Sequence, residues 1–334
     1  MTAPSFTHLR RLTDDGGLYE HALLDVPRPE HGYCVDDVAR GLVVVCRDPV
    51  AASANADLRA LYLAFVLDAQ VPDGRFRNRR ASDGTWTSPA SAEDCWGRAL
   101  WGLGAVVAGQ GDAAECAAAL EAFERGAGWW SPWPRAMAFA TLGAASVCSV
   151  LPGHRLAREL LAVGGQSMNR PAPLDDWPWP EPRLSYANAV ITEALLAAGA
   201  ALNDERMVND GLLLLSWLVT TQTRDGHLSV VAIGGRAPGD TAQRFDQQPI
   251  EVAALADAAA RALRITGDER WRQVITMAVA WFEGDNDSRI ALHNHRTGGG
   301  YDGLEAHGRN ENQGAESTLA LLSTLQHGAN VRVR

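Results

Sequence analysis

GYCVDDVARGL, residues 32–42, places two adjacent acids, Asp36 and Asp37, at the start of a helix whose remainder is apolar on nearly every side. Acids suit that place because the first turn of a helix leaves N–H groups unpaired and carries a partial positive charge. The continuation LVVVC is too apolar for a surface helix. The stretch therefore predicts a core helix over about 35–47 with two carboxylates at its mouth.

The arrangement recurs. AEDCWGRALWGLGAVVAG, residues 92–109, again sets two acids, Glu93 and Asp94, before an apolar helix, and Asp94 follows Asp37 by 57 positions (94 minus 37). Further apolar helices are predicted over 135–150 and over 187–201, the latter with Asn188 and Glu193 as its only strongly polar residues. RFDQQPI, residues 244–250, opens a fifth core helix carrying Glu251 and Asp257, and GAESTLALLSTL, residues 314–325, is the sixth. Between them, residues 55–70, 113–125, 155–163, 204–221 and 269–283 show apolar positions three and four apart with charges between, the pattern of half-exposed helices. Residues 16–33 read as loop around Pro27 and Pro29, residues 223–235 as a hairpin, and residues 169–186 and 293–314 as long polar loops.

Alternation of apolar and amphipathic helices at a spacing of roughly 40–65 residues is the mark of stacked helical hairpins, each burying its apolar face only against its neighbours. Six such pairs closed into a ring make an all-α (α/α)6 toroid, with long loops gathered at the N-terminal face of the inner helices. The sixth outer helix is missing from the C-terminus, so the N-terminal lead is expected to close the ring. No linker divides the chain, and a single domain over 1–334 is expected.

A net charge of −10 with scattered arginines argues against nucleic acid. The longest apolar run, residues 136–151, is shorter than the roughly 20 residues of a membrane span, and the first residues form no signal peptide, so a cytoplasmic protein without a membrane partner is expected. The five cysteines show no CxxC pair and read as buried thiols. No cofactor and no metal are expected. His293 and His295 in HNH lack an acidic or thiol ligand at a recognised spacing. RTGGGYDG, residues 296–303, lacks the lysine and hydroxyl residue of a phosphate loop.

The predicted mouth collects acids, amides and aromatics. Asp37, Asp94, Asp246 and Glu311 are the candidate catalytic carboxylates; Asp36, Glu93, Trp96, Arg98, Asn188, Gln247, Gln248, Arg309 and Gln313 are the candidate substrate ligands. Glu193 and Glu251 are expected one turn deeper, and Trp86, Trp133, Trp177 and Trp179 lie in or beside the same loops. Carboxylates and amides share hydrogen bonds with hydroxyls, indole faces stack on sugar rings, and two carboxyls serve as general acid and base. Each has a structural alternative: acids cap helices, buried carboxylates pair with cations, and Arg98 stands four residues after Asp94 as its ion-pair partner.

GYCVDDVARGL, SAEDCWGRALWGLG, RFDQQPIEVAALADA and NENQGAESTLALL, in that order, resemble a bacterial family of (α/α)6 toroids. Its members stand alone, or are fused to or encoded beside glycosyltransferases and mannoside phosphorylases, and share their architecture with six-hairpin glycosidases. The resemblance runs from EHALL at residues 20–24 to the last helix and meets the predicted mouth at Asp36, Asp37, Glu93, Asp94, Asp246, Gln247 and Glu311. The expectation is a glycosidase, hydrolase or phosphorylase, that cleaves an oligosaccharide or glycoside by single displacement, with the carboxyls roughly 6.5–9.5 Å apart for inversion. The alternatives are a sugar isomerase or epimerase, which would draw a base from His227, His293, His295 or His307, and a non-catalytic glycan-binding scaffold for a glycosyltransferase.

Overall fold

The computed structural model describes residues 4–47, 53–109, 111–168, 177–241 and 244–331. Among them the chain forms twelve α-helices: α1 (Thr7–Arg11), α2 (Val35–Cys46), α3 (Ala56–Ala69), α4 (Asp94–Ala108), α5 (Ala113–Gly126), α6 (Pro134–Val150), α7 (Arg155–Ser167), α8 (Ala189–Leu202), α9 (Glu205–Thr221), α10 (Pro249–Thr266), α11 (Arg270–Phe282) and α12 (Ala315–Asn330). The even-numbered helices are the inner ring. Each packs on the next, and α12 returns to α2. The odd-numbered helices lie outside, and α1, five residues long, packs on α12 in the sixth outer position, as expected of the N-terminal lead. Part of the predicted loop over 169–186 lies outside the described residues.

Two-stranded ladders stitch the connections, among them 33–34 with 79–80, 223–224 with 227–228, and 303–305 with 308–310. The predicted hairpin over 223–235 is thus present. The fifth core helix, by contrast, begins at Pro249 rather than in RFDQ. A residue before proline is pushed out of the helical region, and Gln248 is extended at φ −100° and ψ 137°. Gln247 exchanges backbone hydrogen bonds with Leu304 at 3.0 and 2.9 Å.

Inner helices pack closely where side chains vanish. A methyl group on Gly97, Gly104 or Gly143 would stand 2.2, 2.4 or 2.2 Å from the carbonyl oxygen of Ala136, Gly143 or Leu100. These glycines let α4 and α6 meet backbone to backbone. Gly143→Ala must push the two helices apart, and overpacking of this kind costs about 1–3 kcal/mol or more. A fall in the midpoint of urea unfolding checks it; an unchanged midpoint would mean that the seam yields.

Along the ring axis, one or more side chains from every inner helix fill the bore: Val44, Trp101, Phe139, Val190, Ala254 and Leu319. The space left among them is about 50 Å³, room for a few waters at most. The ring has a polar mouth at the N-terminal ends of its inner helices and a second polar face at their C-terminal ends, and the cavity between them is lined by Arg40 and Arg98 of the one and by Arg47, Glu193 and Asp257 of the other.

Candidate active site

At the mouth, the acids are not helix caps. None of the six inner helices has an N-cap side chain that accepts a backbone hydrogen bond. On the outer helices α5, α7 and α9, Asp112, His154 and Asp204 do cap, accepting from the backbone N–H of Glu115, Ala157 and Met207. The mouth carboxylates go instead to three arginines, each rising from an inner helix.

Arg40, on the second turn of α2, donates to Asp37 at 2.5 Å and ion-pairs with Glu316 of α12 at 2.9 Å, tying the last inner helix to the first. Arg98 lies over the Phe139 ring, 4.2 Å from its centroid, and approaches Asp36 at 3.4 Å and Asp94 at 3.8 Å. Asp94 accepts from the Tyr186 hydroxyl at 2.5 Å. Arg135, at the start of α6, donates to Glu181 at 2.6 Å and to Asn188 at 2.9 Å, and Asn188 in turn donates to Glu251 at 2.8 Å. A chain of contacts thus runs from Glu181 through Arg135 and Asn188 to Glu251.

This network is incomplete in a particular way. Asp36 Oδ1, Arg98 Nε and Nη1, and Glu251 Oε1 are buried and make no hydrogen bond. Asp36 Oδ1 and Arg98 Nε face each other as an ion pair at 3.4 Å, which leaves Arg98 Nη1 and Glu251 Oε1 as the mouth atoms a ligand could complete, since buried polar atoms are nearly always paired. Burial pushes Glu251 up to about 7, against the Asn188 amide and the Arg135 charge. Burial likewise raises Asp37 to about 6, opposed by Arg40 and assisted by Glu316. Burial also raises Tyr186, and neighbouring Asp94 adds to the rise.

Beside the network a cleft of about 480 Å³ opens between Glu93, Asp94, Trp133, Arg135, Glu181 and Tyr186. Trp133 and Tyr186 are 57% and 40% exposed there, two aromatic faces available to a ring. Trp133→Ala is expected to raise KM for an oligosaccharide about fivefold with kcat nearly kept, since one stacking face is worth about 1 kcal/mol. Initial rates over a concentration series check it.

Of the residues predicted for the mouth, Asp36, Asp37, Asp94, Arg98 and Asn188 come together, with Glu93 on the cleft wall. Three predicted ligands are corrected. Trp96 is fully buried and donates to the Gly126 carbonyl, away from the mouth. Gln247 is fully buried, its amide donating to Arg244 and Asp287 and accepting from Trp281. Gln313 is buried between Thr297 and His8. Trp96 and Gln247 thus spend their polar side-chain atoms inside the protein, and the Gln313 side-chain oxygen accepts from Thr297. Asp246 is exposed, Gln248 is half-buried, and Glu311 is exposed and paired with Arg309 at 3.1 Å; none of the four bonds to Arg40, Arg98 or Arg135. Trp177 and Trp179 donate to Glu181 and pack on Trp217, while Trp86 donates to Asp68 of α3. Glu193 pairs with Arg261 at 2.9 Å, toward the opposite end of the bore.

Arg40, Arg135, Tyr186, Glu181 and Glu316 are site residues that the sequence reading did not single out. Arg40 and Arg135 carried a signal, as lone cations within apolar helices that need a buried partner. Glu181 and Tyr186 had no local mark.

No protein-family model and no curated protein matches the chain. Solved structures do match it over nearly their full length. A sugar epimerase from a ruminal bacterium superposes with a TM-score of 0.73 at 12% identity, covering 97% of this chain and 95% of that one. The cellobiose 2-epimerase of Bacillus thermoamylovorans gives 0.71 at 11%, covering 96% and 95%. The GH76 α-mannanase of Bacteroides thetaiotaomicron gives 0.66 at 12%, covering 98% and 94%. The fold is an (α/α)6 toroid. Its neighbours in fold process sugars, and in this toroid the incomplete polar network stands at the mouth of the inner ring.

Proposed function

We propose that the chain is a carbohydrate-active enzyme that cleaves a glycosidic bond by carboxylate acid–base catalysis at the toroid mouth. The observation that carries the reading is Glu251: buried, bonded through one oxygen only, and raised to about 7. A carboxyl of that kind keeps its proton near neutral pH and suits the general acid at the leaving oxygen. Asp94, on the cleft wall beside Tyr186, is the carboxylate we assign to activate water or position phosphate. Arg98 offers its unpaired Nη1 to a sugar hydroxyl, and Trp133 and Tyr186 offer faces to the rings. Of the other catalytic candidates, Asp37 serves to hold Arg40, while Asp246 and Glu311 stay outside the proposed set.

Solved neighbours named as epimerases and as a D-mannose isomerase favour a second reading, in which a base epimerises or isomerises a reducing sugar. The histidines expected for that role are held elsewhere. His227 bonds to Asp287, His293 and His295 to Glu283, and His307 is exposed on a hairpin turn. Among the described residues, His21 is an imidazole not held in that way: its ring centroid lies 4.9 Å from that of His31, and it stands 3.8 Å from Glu20, whose carboxylate lies within 4.8 Å of Asp37. A glycan-binding scaffold for a glycosyltransferase remains the non-catalytic alternative.

The test is sugar release from manno-, gluco-, galacto- and arabino-oligosaccharides, with and without inorganic phosphate, by the native protein and by Glu251→Gln and Asp94→Asn. Release lost in both variants supports cleavage, phosphate dependence separates phosphorylase from hydrolase, and the anomer formed reports inversion. Epimers of a reducing sugar, formed without cleavage and lost in His21→Asn, would replace the first reading with the second. Binding without any turnover would leave the scaffold.

A further inference from the structure

We propose that Glu283, His293 and His295 form a binding site for a divalent transition-metal ion of the zinc class. Glu283 follows the last residue of α11, and the backbone N–H of Leu292 donates to Phe282 at 2.8 Å, so the returning chain is pinned beside the helix end. His293 then lies in a short strand, 293–294, paired with 299–300, and His295 lies in the turn between them. Ring nitrogens converge on one carboxylate: Nδ1 of His293 is 2.9 Å from Glu283 Oε1, and Nε2 of His295 is 2.8 Å from Oε2. The two imidazole centroids are 3.9 Å apart, and the three donor atoms all lie within 4.8 Å of one another.

Zinc bonds to imidazole nitrogen and carboxylate oxygen at about 2.0–2.2 Å, which in a tetrahedral site sets donor atoms roughly 3.3 Å apart. The spacings present need only small side-chain adjustments to close on a single ion. Two imidazoles and one carboxylate favour zinc and its first-row neighbours over magnesium or calcium, which take oxygen donors. The side chain of His293 is 8% exposed, that of Glu283 34% and that of His295 59%, so the remaining coordination is open to water on one side. The ion would clamp the segment that leads from α11 to α12. That segment also supplies the Ala291 carbonyl that accepts from Arg309 at 2.5 Å. None of the three ligands bonds to Arg40, Arg98 or Arg135, so the site stands apart from the mouth and its test is independent of catalysis.

The experiment is titration of tag-free, chelator-stripped full chain with zinc by calorimetry and with cobalt by its visible absorption. Binding of one ion per chain is expected, with a rise in Tm at saturating zinc. His295→Ala and Glu283→Gln should each weaken binding about tenfold or more while leaving the Tm of the stripped protein unchanged, because both side chains are partly exposed. Absence of stoichiometric binding, or unchanged affinity in His295→Ala, would overturn the assignment. So would loss of binding in Cys34→Ser with a thiolate band in the cobalt spectrum, which would move the ion to the Glu20, Cys34 and Asp37 group.

Discussion

Glu251→Gln is expected to lower turnover on any glycan the native protein cleaves by about 10²–10⁴-fold, the usual weight of a general acid. Gln has nearly the shape of Glu and keeps an oxygen to accept from Asn188, so the fold should survive. The same substitution has a second effect, on stability. Glu251 is raised from 4.5 to about 7, so between those pH values the folded chain holds a proton that the unfolded chain has released. Native stability therefore falls as pH rises from about 4.5 to about 7 and is level outside that window. A shift of this size corresponds to a change on the order of 3 kcal/mol. Gln cannot titrate, so the variant should gain on the native protein as pH rises from 5 to 8. Urea melts at the two pH values check this. Parallel profiles would mean that Glu251 is not the raised group, and native turnover in the variant would end its role as acid.

Arg40→Met should be the most damaging single change at the mouth for stability. It leaves Asp37, whose side chain is 3% exposed, as a buried charge without its cation, whereas Glu316, at 42%, still reaches water. Breaking one side of a buried ion pair costs about 3–5 kcal/mol. Without Arg40, Asp37 rises further above its unfolded value of 3.8, because burial already pushes it up and the guanidinium was the main opposing influence. The loss should thus be small below about pH 6, where Asp37 is protonated in the folded native protein and the folded variant alike, and should grow as pH rises through neutrality. Adding Asp37→Asn should restore most of it. A deficit equal at pH 5 and pH 8, or no rescue in the double variant, would show that the pair is not what α2 depends on.

The ring was readable from periodicity because burial repeats along each helix. The mouth was readable only in part, because its partnerships are long-range. Arg40 and Asp37 share a turn, but Glu316 lies 276 positions beyond Arg40 (316 minus 40), and no local pattern links them. Arg135, Asn188 and Glu251 come from three different helices, and only the closed ring sets them in line. The misplaced ligands have separate causes. Trp96 stands two residues after Asp94, about 200° around the helix, so it faces away from the mouth while Arg98 returns to it. Gln247 and Gln313 lie in segments whose side chains are taken up by Asp287, Trp281 and Thr297, contacts the sequence does not announce.

The filled bore lies between two sets of exchangeable protons. At one end is Glu251; at the other Asp257 joins His327 at 2.6 Å and Ser323 at 2.8 Å. The narrow cavity between, with room for a few waters, is lined by Arg40 and Arg98 toward the first and by Arg47, Glu193 and Asp257 toward the second. On the proposed function, a proton that Glu251 gives up is replaced from the mouth, the opening a substrate would occupy. A sugar seated there would meet the one proton that Glu251 already carries, and reloading would wait for its departure.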